Sequence, residues 1–86
     1  MLIKTTRIMD GPGPSEVIVK LMTAEGRVEE VVVDVASLQG DGLEVGPVLA
    51  KRDELLLIEL PRETASGRLR LWIPDSERIK ELEAAE

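Results

Sequence analysis

Two guanidiniums and one indole share a parity near the end of the chain: Arg68, Arg70 and Trp72, in the run Arg68-Leu69-Arg70-Leu71-Trp72-Ile73. An arginine can clamp an anion through two parallel N–H bonds and can stack on an aromatic face. This surface would suit an anionic ligand with a planar base, or a partner protein. The simpler reading is that a C-terminal helix covers Trp72, against Ile79 and Leu82, while the arginines pair with nearby glutamates; a third places Trp72 in a homo-oligomer interface. The acidic residues Asp34, Asp41 and Glu44 surround Gly40 and Gly42. Oxygen ligands near a glycine turn can hold calcium, but this spacing matches no calcium loop, so we assign no metal site. We also assign no cofactor.

Catalysis has little to work with. The chain has no histidine and no cysteine, which removes the commonest general base, the thiolate nucleophile and the commonest metal ligands. Ser37 and Ser66 therefore lack the partner a Ser–His–Asp triad needs. Glu29 and Glu30 are adjacent, so on a strand they point to opposite faces. No phosphate-cradling loop or dinucleotide fingerprint is present. The expectation is a non-catalytic protein.

The net charge is −6, and it is local. Residues 1–27 carry +1, residues 28–46 carry −5, residues 47–74 carry +1 and residues 75–86 carry −3. Nucleic-acid binding needs a basic footprint; only weak binding through Arg68, Arg70 and Trp72 is compatible with this balance. No long apolar run and no signal-peptide pattern occurs, which gives a cytoplasmic location with no membrane contact as the expectation. The absence of Asn, Phe and Tyr, with Arg outnumbering Lys, fits a GC-rich bacterial genome.

The elements that must position these residues start with a hairpin. Glu16 to Met22 and Val28 to Val35 flank Thr23-Ala24-Glu25-Gly26-Arg27. Val17, Val19 and Leu21 share a parity, as do Val31, Val33 and Val35, so each set lines one face. Gly26 suits the left-handed position after a type I turn. Leu2 to Met9 reads as a first strand of poor alternation, suited to an edge or a partner. Asp10 to Pro14 is a turn, Ala36 to Gly42 a loop, Leu43 to Leu49 a strand broken at Gly46-Pro47, and Lys51 to Glu54 a polar turn. Leu55 to Leu60 is apolar on both parities and reads as a central strand covered on two sides. Arg68 to Ile73 alternates. Pro74-Asp75-Ser76 then opens a helix over about 76–84, capped by Asp75 or Ser76, with Ile79 and Leu82 docking inward. The sequence shows no internal repeat.

Together these elements give an all-β fold class: one domain over 1–86, a small barrel or sandwich of about six mostly antiparallel strands with a short C-terminal α-helix. The strands fall at about 2–9, 16–22, 28–35, 43–49, 55–60 and 68–73. A core of this size, with Trp72 as its only aromatic residue, has a thin stability margin that association would relieve. The leading functional expectation is an interaction module that binds itself or another protein.

The run Val32-Val33-Asp34-Val35-Ala36-Ser37-Leu38-Gln39-Gly40-Asp41-Gly42-Leu43 resembles the Asp-x-Ser-x-x-Gly segment of PilZ domains. Leu56 to Pro61, followed by Leu69 to Ile73 and a helix, is similar to that family's second half. The resemblance implies a six-stranded barrel with a C-terminal helix that binds cyclic di-GMP, with Arg7, Ser37, Gly40 and Arg70 around the nucleotide. Two features depart from the family pattern. Asp34 stands three residues before Ser37, and the Arg-x-x-x-Arg motif is replaced by Lys4 and Arg7 at a different spacing.

Overall fold

Two five-residue turns of nearly the same sequence organise the molecule. They are Thr23-Ala24-Glu25-Gly26-Arg27 and Thr64-Ala65-Ser66-Gly67-Arg68. In the first, the Thr23 amide donates to the Arg27 carbonyl at 2.8 Å and the Gly26 amide to the Thr23 carbonyl at 3.0 Å. In the second, the Thr64 amide donates to the Arg68 carbonyl at 2.8 Å and the Gly67 amide to the Thr64 carbonyl at 2.8 Å. Gly26 and Gly67 have φ of 80° and 88°, the left-handed region that glycine enters without steric cost. The threonine hydroxyls fix the other end. The Arg27 amide donates to Thr23 Oγ1 and the Arg68 amide to Thr64 Oγ1.

The computed structural model describes residues 1–79. It is all-β, with ten strands in three antiparallel sheets. The strands are β1 (Leu2–Lys4), β2 (Thr6–Asp10), β3 (Glu16–Met22), β4 (Val28–Asp34), β5 (Leu38–Gln39), β6 (Gly42–Glu44), β7 (Ala50–Arg52), β8 (Leu55–Glu59), β9 (Arg70–Pro74) and β10 (Arg78–Ile79). Val35–Ser37 and Asp75–Glu77 form 3-10 turns. The sheets run β10-β1-β6-β5, β2-β3-β4 and β7-β8-β9. Between them lies a core that includes Ile3, Val17, Val19, Val31, Val33, Leu43, Leu56, Ile58, Leu71 and Ile73.

The two halves of the chain are built alike, which corrects the expectation of no repeat. Leu38 pairs with Leu43, and Arg78 pairs with Ile3; Gln39 pairs with Gly42, and Ile79 pairs with Leu2. Each second pair derives from the first by the step of 40 positions that separates Ile3 from Leu43. Ile3 and Leu43 face each other, so the rotation relating the halves passes between them. Backbone bonds off the strands obey the same rule: Thr5 N–H to Asp41 C=O and Val45 N–H to Met1 C=O, both 2.9 Å. The long hairpins match as well, Val19 opposite Val31 and Ile58 opposite Leu71. Both 3-10 turns are tied to the start of the neighbouring hairpin, by Val35 N–H to Ser15 C=O and Asp75 N–H to Glu54 C=O, both 2.8 Å.

Each turn docks on the last long strand of the other half. The Ala24 amide donates to the Trp72 carbonyl at 2.8 Å, and the Ala65 amide to the Glu30 carbonyl at 2.7 Å. A bridge between Val31 and Thr64 accompanies the second contact.

Several expected boundaries move. The first strand is two, β1 and β2, on different sheets, divided at the buried Thr5, whose hydroxyl and amide both donate to the Asp41 carbonyl. Of the 43–49 segment only Leu43 and Glu44 are strand, within β6, and Lys51 and Arg52 of the expected polar turn belong to β7. The described strands do not close a barrel, since β2 and β7 end their sheets. The C-terminal helix at 76–84 is not formed where it is described. The Arg78 amide bonds the Asp75 carbonyl, which completes one 3-10 turn, and Arg78–Ile79 then pair with β1. Strand pairing occupies those backbone groups and covers Leu2, so Arg78 and Ile79 do not continue as helix. Residues 80–84 of that expectation, Leu82 included, lie outside the described residues.

The Ile3–Leu43 contact is expected to hold the two halves together. Ile3→Ala and Leu43→Ala should each cost about 2–5 kcal/mol, and a double-mutant cycle in urea should show coupling of about 0.5 kcal/mol or more. Additive losses would place these side chains in separate packing units.

Candidate interaction surfaces

The structure takes Arg68, Arg70 and Trp72 apart. Arg68 precedes β9 and lies at the junction of the two turns. Its guanidinium is 3.6 Å from Glu25 Oε2 and 3.6 Å from Glu29 Oε2. Glu29 is buried although charged, because it faces the core side of β4 opposite Leu21. Ser66 donates to Glu29 Oε1 at 2.8 Å, and the Thr64 and Ser66 hydroxyls lie 3.1 Å apart. Burial pushes the Glu29 carboxyl up, but the Ser66 and Thr64 hydroxyls and the Arg68 and Arg27 guanidiniums outweigh it. The net result lies below the usual carboxylate range. The Glu25 carboxyl is also lowered, first by the Thr23 hydroxyl and its own amide, then by Arg68. Arg68 is thus committed to a lock between the two turns.

Arg70 and Trp72 stay on the outer face of the β7-β8-β9 sheet. Arg70 sits opposite Glu59, with Nε 3.8 Å from Glu59 Oε2. Trp72 sits opposite Leu57, and Leu57 opposite Ala50, which gives a cross-strand row of three apolar residues. Opposed residues share a face, so this row points away from the core. Trp72 is half-buried, and the Arg52 guanidinium lies over its ring at 5.3 Å. The expected cover from Ile79 is not there, because Ile79 pairs with Leu2 in another sheet. Arg52 was not among the residues singled out in the sequence. Its place over the ring depends on β7 pairing with β8, which a polar Lys51-Arg52-Asp53-Glu54 run does not announce.

The related face of the β2-β3-β4 sheet carries Met9, Ile18 and Val32 in the matching row. Its flanking charges are inverted: Lys20 lies opposite Glu30, where the other sheet has Glu59 opposite Arg70. β2 itself is exposed at every residue, Ile8 and Met9 among them.

Arg7, Ser37, Gly40 and Arg70 fall in four separate elements. Arg7 is on β2, with its guanidinium 3.2 Å from Asp10 Oδ1. Ser37 ends the first 3-10 turn and Gly40, with φ of 60°, makes the β5–β6 turn. Arg7 lines an open groove of about 470 Å³ with Asp10 and Glu16, whereas Ser37, Gly40 and Arg70 do not line it. Asp34 accepts from the Ala36 amide at 2.8 Å and so caps the 3-10 turn. No group of three acidic side chains arranged for a metal occurs among the described residues. No helix there is long and apolar enough to cross a membrane.

No protein-family model, curated protein or solved structure matches the chain.

The Glu29 lock gives a pH signature. A carboxyl lowered in the folded state adds stability above its unfolded value, near 4.3, and loses it as pH falls through the folded value. Glu29→Gln should cost about 1–3 kcal/mol at pH 7. The gap to the parent protein should narrow below about pH 4.5 in urea melts, since the parent loses its advantage there. A gap that does not change from pH 7 to pH 3 would show that the charge on Glu29 contributes nothing. At the other sheet, Arg52→Ala should uncover the indole and move the Trp72 emission maximum to the red.

Proposed function

We propose that this protein is a non-catalytic interaction module that self-associates. The observation that carries the reading is β2, a five-residue strand exposed along its whole length while its outer edge has no partner among the described residues. An edge of this kind is a template for another strand, which monomeric proteins blunt with charge, cover or a bulge. β2 has a bulge and the charges Arg7 and Asp10, but these are of opposite sign and leave its apolar residues open. Here Ile8 and Met9 stand exposed on it, Met9 at 58%. The core favours association too. It is built from aliphatic residues in a chain of 86, where burial leaves a narrow margin that an added interface widens.

Light scattering across protein concentration tests this directly. A mass above that of one chain, rising with concentration, is the expected result. A single-chain mass at every concentration up to the millimolar range would sink self-association.

A further inference from the structure

We infer that the partner of β2 is the β2 strand of a second copy, paired antiparallel with Arg7 opposite Asp10 and Ile8 opposite Met9. This rests on the self-association just proposed and names the surface that performs it.

β2 carries a bulge. Arg7 pairs with Val19, Met9 with Ile18 and Asp10 with Val17, so Ile8 is an extra residue on the strand. In a regular strand Arg7 and Asp10, three apart, would point to opposite faces. The bulge returns them to the same face, the one that carries Val17 and Val19. Their ion pair at 3.2 Å within one chain shows that they reach each other. Both remain open to solvent, with side chains 61% and 89% exposed, because β2 overhangs the core.

A strand with a cation at one end and an anion at the other, on one face, is complementary to itself when reversed. Antiparallel pairing about a two-fold axis between Ile8 and Met9 sets Arg7 of each copy against Asp10 of the other. The internal ion pairs of the two copies, one in each, are exchanged for two cross-strand pairs that fix the register between the copies. The apolar row Val32-Ile18-Met9 then continues into the second copy, and the two three-stranded sheets become one of six strands.

The equivalent edge in the other half is the control the molecule supplies. β7 is also fully exposed and ends its sheet, but its residues are Ala50-Lys51-Arg52. Reversed against itself, it would bring four cations together, with Lys51 facing Lys51. Charge of one sign guards an edge against such pairing. The remaining described edges are short or occupied: β5 and β10 have two residues each, and β4 and β9 receive the docked turns.

Charge reversal tests the register. Arg7→Asp and Asp10→Arg, both at exposed positions, should leave the circular dichroism unchanged. Each alone should weaken the dimer about tenfold or more in sedimentation, because two attractive pairs become repulsive. An equimolar mixture of the two variants should recover the dimer as a heterodimer, and the double variant R7D/D10R should recover it alone. A dimer that ignores both reversals, or one lost on reversal and not recovered in the mixture, overturns this pairing while self-association stands. A monomer at every concentration overturns both, and leaves the edge to an extended segment of another protein. Loss of the dimer on Trp72→Ser, with no effect of the reversals, would move the interface to the other sheet.

Discussion

The structure depends on two amides. Ala24 and Ala65 sit at the tips of matching turns, and each amide donates to a carbonyl on the far strand of the opposite half, at 2.8 Å and 2.7 Å. Neither hairpin could bury its inner face alone. Val17, Val19, Val31 and Val33 of one hairpin need Leu56, Ile58, Leu71 and Ile73 of the other. The docked turns fix where the two meet, and the Ile3–Leu43 pair fixes the axis between them. Around the first turn a buried carboxylate, Glu29, adds a polar lock that requires Ser66 and Arg68 from the second. A buried charge is tolerable there because it is paired and hydrogen-bonded; with one partner removed it would be costly.

Much of this was legible where sequence pattern and burial agree. The alternation of Glu16 to Asp34 and the glycine at 26 specify a hairpin with one register, since a slip by one residue would expose the valines. Leu55 to Leu60 reads as a central strand covered on two sides; β8 (Leu55–Glu59) is central, between β7 and β9, but only the face of Leu56 and Ile58 is covered, while Leu55 and Leu57 are half-buried on the outer face. The illegible parts have physical causes. β7 is entirely polar or small because it is a solvated edge, so no apolar period marks it. Asp75-Ser76-Glu77 carries the signals of a helix start, yet a 3-10 turn uses the same signals. The conformation of Arg78 and Ile79 is decided instead by pairing with β1, a long-range contact that no local pattern encodes. Val35 continues the parity of β4 but begins the first 3-10 turn and is exposed.

The likeness of the halves was hidden for a related reason. Apart from the two turns, equivalent positions share hydrophobic character rather than identity, as Val17 and Leu56 or Val31 and Leu71 do. The spacing also drifts, because Pro61-Arg62-Glu63 lies between Leu60 and Thr64 where the first half has only Met22 between Leu21 and Thr23. Outer positions are not alike and in places have opposite charge, as with Lys20 and Glu59 or Glu30 and Arg70. The shared scaffold therefore presents two different faces, one with Trp72 under Arg52 and one with the exposed β2 strand. The arginine–tryptophan group read from parity alone did not survive as a unit, since Arg68 is drawn into the lock between the turns.

Amide hydrogen exchange at Ala24 and Ala65 tests the central claim most directly. Both residues lie at turn tips, where an undocked amide exchanges quickly. If the halves are held by reciprocal docking, both amides should be protected to nearly the level of the core strand amides, and they should open together with global unfolding. Fast exchange at either one, with Val19 and Ile58 still protected, would show that the turns do not fasten the two halves.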